Sequence, residues 1–89
     1  GIAEVVGHLL RKLGTKAQIV CVTHLPQVAA QGHHHLQVTK SSEKKTAKTE
    51  VNKLSHEQKV EEIARMLGGI EMTEQSLAHA KEMYESAQA

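Results

Sequence analysis

Ala17-Gln18-Ile19-Val20-Cys21-Val22-Thr23-His24-Leu25-Pro26 is the stretch on which the fold turns. Its first six residues are almost continuously apolar and rich in β-branched side chains, the pattern of a strand covered on both faces in a parallel sheet. Upstream, Ile2, Val5, Val6, Leu9, Leu10 and Leu13 recur at helical spacing, and Gly14 stands just past them as a helix stop. Helix, tight glycine turn and buried strand make half of a βαβ unit. A parallel strand needs parallel neighbours, and no later stretch resembles one, so the sequence reads as part of a larger α/β domain. An amphipathic pattern already running at Ile2, behind Gly1 rather than Met, points the same way.

Working outward from Pro26, that residue suits the first turn of a short helix through Gln27, Val28, Ala29 and Ala30, closed by Gly32. Residues His34 to Lys40 and Lys48 to Leu54 read as two strands, joined as a hairpin by the polar segment Ser41 to Ala47. Ser55-His56-Glu57-Gln58 has the form of a capping box, with Val60, Ile63, Ala64 and Leu67 following at helical spacing and Gly68-Gly69 ending the helix. Thr73 reads as the N-cap of a last helix, with Met72 and Leu77 as its hydrophobic staple and a stripe of Leu77, Ala80, Tyr84 and Ala87. The expected architecture is one α/β unit over residues 1–89. It comprises an N-terminal helix, one buried core strand, a short helix, a β-hairpin and two C-terminal helices.

The composition narrows the classes of function. Net charge is +1 and the only aromatic residue is Tyr84, so no strong electrostatic footprint for DNA or an anionic membrane is written into the chain. Cys21 is the only cysteine; no internal disulfide is possible, the chain reads as intracellular, and the thiol is expected to be inert packing inside the buried run. Met66, Met72 and Met83 are expected as core filling, and no apolar run approaches membrane-spanning length.

In open α/β sheets ligands bind beyond the C-terminal ends of the strands. His24 stands at that place, with the Thr23 hydroxyl beside it. A histidine there hydrogen-bonds a phosphate oxygen or shuttles a proton, or it merely caps the strand and packs; spacing alone leaves both open.

The run Ile19-Val20-Cys21-Val22-Thr23-His24 resembles the last core strand and switch histidine of ABC-type ATPase heads. Extended to Leu25-Pro26-Gln27-Val28-Ala29, it resembles the RecN family of SMC-like DNA repair ATPases. The resemblance continues upstream through Gly1 to Gly7 and Leu9-Leu10-Arg11, and downstream through Ala64-Arg65-Met66-Leu67-Gly68-Gly69 and Leu77-Ala78. It is weakest from about Gln37 to Asn52. It implies an ATPase head split across the two chain ends, heads that dimerise around ATP and Mg²⁺, and a cytoplasmic, nucleoid-associated role in repair of DNA double-strand breaks and recombination. On this resemblance His24 would be the switch histidine at the γ-phosphate, catalytic only in the complete head. Thr23 and His24 would be the nucleotide-contacting residues. The implied partners are the remainder of the same head, a second head and DNA, and no membrane.

The P-loop spacing G-x-x-x-x-G-K-[ST] begins at none of the six glycines, and no apolar strand ends in an Asp-Glu pair. Phosphoryl transfer depends on those parts, so this stretch by itself is not expected to be an enzyme or to hold a cofactor tightly. Leu67-Gly68-Gly69 superficially matches an ABC signature motif, but Met66 and Ile70 do not fit it, and the glycines read as a helix stop. Other features have simpler readings. His33-His34-His35 offers at most two convergent ligands, so no metal site is expected. Lys40, Lys44, Lys45, Lys48 and Lys53 suit DNA phosphates but are interrupted by Glu43 and Glu50, and solvated edge lysines also deter aggregation. His8, His56 and His79 fall on polar helix faces or caps. The alternative to a head fragment is a free-standing protein-interaction module.

Overall fold

The computed structural model describes residues 1–43, 46–69 and 72–89. It contains α1 (Ile2–Gly14), α2 (Pro26–Ala29), β1 (Leu36–Glu43), β2 (Thr46–Lys53), α3 (His56–Gly68) and α4 (Glu74–Gln88). The expected loop residues Lys44 and Lys45, together with Ile70 and Glu71, lie outside the described residues.

The core lies between α3 and α4. Both helices begin with a reciprocal cap: Ser55 with Gln58, and Thr73 with Ser76. These caps satisfy backbone N–H groups that the first helical turn leaves without partners. The expected stripes then face each other. Ile63, Ala64, Ala80 and Tyr84 are buried, with Val60, Leu67, Leu77, Met83 and Ala87 packed around them. Ala30, at the end of α2, is the one further member of this buried cluster. Gly69 ends α3 at φ +68°, a conformation that costs glycine little and strains other residues. Met72 is 48% exposed, so only Met83 of the three methionines packs directly against the core, with Met66 half-buried.

The hairpin forms, with longer strands than expected. β1 and β2 pair antiparallel from Leu36↔Lys53 to Glu43↔Thr46, so pairing runs into the segment read as loop. Residues directly opposite share a face. One face carries Gln37, whose Nε2 donates to the buried Glu62 of α3 at 2.7 Å. The other carries Leu36, Val38 and Val51, all more than half exposed. The polar face therefore meets α3 and the apolar face looks outward.

Two expectations are corrected at the N-terminal end. Ala17–Val22 is neither a strand nor buried: it runs without β pairing, with Val20 81% and Val22 97% exposed. The reason is the one the sequence itself raised, since a parallel strand needs neighbours and the only sheet among the described residues is the self-paired hairpin. Cys21, expected inside a core, is exposed for the same reason. The apolar stripe of α1 is likewise uncovered, with Ile2, Val5, Val6, Leu9 and Leu13 between 42% and 82% exposed.

The side of α1 that packs is marked instead by Gly7, its one buried residue. A Cβ at Gly7 would lie 3.0 Å from the Gln27 carbonyl oxygen and 3.2 Å from Val28 Cα. Only glycine allows α1 and α2 to approach this closely. Gly7→Val is expected to cost about 1–3 kcal/mol by overpacking. A thermal melt checks this, and a midpoint equal to the parent's would mean that the contact yields without cost. Gly14, expected beyond the helix, is its last residue, and Thr15 caps it in a right-handed conformation. The Thr15 side chain donates to the Lys12 carbonyl at 2.7 Å.

Candidate functional site

Thr23 and His24 lie between the open segment and α2. The Thr23 Oγ1 accepts the Leu25 backbone N–H at 3.0 Å. Leu25 in turn is the N-cap of α2, its carbonyl accepting from Val28 and Ala29 at 3.1 and 3.0 Å. This local turn ties His24 to the start of α2. Pro26 at the first helical position is buried, which suits a residue with no N–H to satisfy. His24 itself is exposed, and Thr23 is half-buried. The site presents an imidazole and a hydroxyl, a donor set that suits a phosphate oxygen.

A second cluster of polar groups sits where the hairpin meets α3 and α4. Glu62 is buried yet fully engaged: Arg65 Nε donates to its two oxygens at 3.1 and 3.0 Å, Arg65 Nη2 pairs with Oε1, and Gln37 adds its amide. Lys59 Nζ donates to the His33 carbonyl at 3.1 Å and to the Tyr84 hydroxyl at 3.3 Å. His56 packs edge-on against Tyr84 with ring centroids 5.0 Å apart. These bonds fasten the hairpin base to the helices. The histidine run does not converge: His33 and His34 are exposed and His35 is half-buried. Among the described residues no three His, Cys, Asp or Glu side chains gather as metal ligands.

His35 gives this junction a pH dependence. Its burial pulls the imidazole pKa below the ordinary histidine value, while Glu62 opposes the shift and Lys59 adds to it. The unfolded chain therefore takes up the proton at a higher pH than the folded one. The stability that neutral His35 contributes is present above about pH 6.5 and is lost as pH falls through the lower folded value. His35→Gln should flatten the dependence of melting temperature on pH between about 7.5 and 5. An undiminished slope in that variant would assign the effect to another group.

Sequence comparison adds the family. The chain is 54% identical to the DNA repair protein RecN of Vibrio cholerae over 81 residues, which is 91% of this chain and 15% of that protein. It is 49% identical to RecN of Haemophilus influenzae over 81 residues (91% of this chain, 14% of that protein). It is 38% identical to RecN of Bacillus subtilis over 86 residues (97% and 15%). The chain belongs to the RecN family, matching its C-terminal part. It spans only about one-seventh of the length of these RecN relatives. No protein-family model matches it. Among the described residues no helix is long and apolar enough to cross a membrane.

Thr23 and His24 were singled out from sequence through their place at the end of an apolar run. Glu62 and Lys59 were not. Glu61 and Glu62 are adjacent and alike, and only the tertiary position of the hairpin selects one of them for burial.

Proposed function

We propose that this chain is the C-terminal piece of a RecN-type ATPase head acting in repair of DNA double-strand breaks and recombination. Its contribution to the head would be the Thr23–His24 turn. The observation that carries this reading is the state of Ala17–Val22: apolar, exposed and without β pairing, and followed by Thr23 and an exposed His24. Open strand edges are liabilities that complete proteins cover. In a complete head the segment would take strand neighbours from the rest of the polypeptide, and the α1 stripe would pack beneath the same sheet. His24 and Thr23 would then stand at the C-terminal edge of a core strand, where α/β proteins bind ligands.

ATP with Mg²⁺ would supply the reactive phosphoryl group and the neutralisation of its charge. The residues present fit a contact with one phosphate oxygen rather than enclosure of a nucleotide. His24 would donate a ring N–H to that oxygen and help to orient the attacking water. Thr23 would hold the turn through its Oγ1 while its hydroxyl proton stays available to a second acceptor. Hydrolysis would therefore belong to the complete protein, with a second head and DNA as its partners in the cytoplasm and nucleoid.

The test compares this chain with a complete RecN-type protein carrying it. The chain alone should give a dispersed amide NMR spectrum that millimolar MgATP leaves unchanged, while the complete protein hydrolyses ATP. Saturable shifts at Thr23 and His24 in the chain alone would replace the head-fragment reading. A complete protein without ATPase activity would favour an interaction module.

A further inference from the structure

α2 is a single turn of four residues, too short to hold its own position. The carbonyls of its C-cap Ala30 and of Gln31 and Gly32 just beyond it are bonded by side chains from distant parts of the chain. Arg11 Nη1, from α1, donates to the Gln31 carbonyl at 2.7 Å. Gln88 Nε2, from the last turn of α4, donates to the carbonyls of Ala30 at 3.1 Å and Gly32 at 3.3 Å. Arg11 Nη2 donates to Gln88 Oε1 at 3.1 Å and closes the set. Arg11 and Gln88 are both half-buried, so these bonds are partly shielded from water.

We infer that Arg11 and Gln88 form a latch that positions His24, making them positioning residues for the reaction assigned to the complete head. The inference rests on the reading of His24 proposed above. The mechanical path is short. α2 rises by about 6 Å from end to end, Leu25 caps its start, and the Thr23–Leu25 hydrogen bond joins that cap to the turn holding His24. Gly7 fixes the distance of α2 from α1, and Ala30 anchors it in the core. The latch sets the remaining freedom, the tilt of one helical turn. A tilt of α2 passed on to its N-terminal end displaces His24, a group whose contribution depends on placement, and misplacement by about 1 Å can cost on the order of 100-fold in rate.

The experiment measures single-turnover ATP hydrolysis, nucleotide affinity and melting temperature in a complete RecN-type protein carrying this sequence. The variants are Gln88→Ala and the two-pronged-to-single-pronged change Arg11→Lys, each made in the parent and in a His24→Ala background. The expected result is a fall in turnover of about 10- to 100-fold in the parent background, with nucleotide affinity held within a few-fold. In the His24→Ala background neither variant should lower turnover further, because the latch acts through His24. An equal further loss in that background would show a general structural role and overturn the inference. Unchanged turnover for both variants, beside a strongly impaired His24→Ala, would also overturn it. If His24→Ala itself retained full turnover, the underlying reading of His24 would fail instead, and the latch proposal with it.

Discussion

Replacing His24 with Ala in a complete RecN-type protein is expected to lower ATP turnover by about 100-fold or more, leaving nucleotide affinity within a few-fold of the parent. The size follows from what the residue would do. A single donor aimed at developing charge in a transition state is worth about 10²–10³ in rate in other preorganised sites. Ground-state binding of a nucleoside triphosphate rests mainly on a phosphate-cradling loop and a metal ion, so removing one imidazole leaves most of it intact. His24 is exposed and, among the described residues, no side-chain bond ties it to the core, so its removal should not unfold the protein. The measurement is single-turnover hydrolysis at saturating MgATP, with affinity determined separately. Turnover equal to the parent's would remove His24 from the mechanism. A parallel loss of affinity and turnover would make it a binding residue without a specific part in the chemical step.

Ile63→Ala should have the largest effect on stability. Ile63 is the largest fully buried side chain among the described residues, and its small neighbours Ala64 and Ala80 are buried with it at the contact of α3 and α4. Such truncation in a core costs about 2–5 kcal/mol, from lost transfer energy and the cavity left behind. A chain of this size has a total stability of roughly 4–13 kcal/mol, and there is little else to compensate. The core holds one aromatic ring, Tyr84, and the apolar side chains of α1 face outward. The melting temperature of the chain should fall by more than about 10 °C. A fall of less than about 3 °C would mean that the two helices are held chiefly by their polar contacts.

How far the sequence could be read depended on the range of each signal. The capping box of Ser55 and Gln58 acts over three residues, and the structure has it as expected. The stripe of α4 spans adjacent turns and packs as expected, since its partner α3 lies close by in the chain. The stripe of α1 was equally legible as a pattern, yet periodicity states which residues share a face and not whether anything covers it. The side that packs on α2 is marked only by Gly7, a residue easily passed over in a helix. Ala17–Val22 shows the same limit more sharply. Its composition suits a buried strand, but hydrogen-bonded strand structure is a property of pairs, and no pairing partner stands in the described residues. Thr23 and His24 were singled out because they follow that run. Arg11 and Gln88 were not, because residues 77 positions apart leave no local pattern when they meet.

That separation also implies an order of folding. The α3–α4 pair closes a short loop and draws on helices that carry their own start signals, so it gains contacts early at little entropic cost. The bond between Arg11 and Gln88 encloses nearly the whole chain, and α2, a single turn, has its full set of contacts only once that bond forms. The turn that carries His24 is thus expected to be fixed late and to loosen early, as a unit of lower local stability within a more durable helical frame. Catalytic readiness in such a protein would be the final event of folding rather than an early by-product of it.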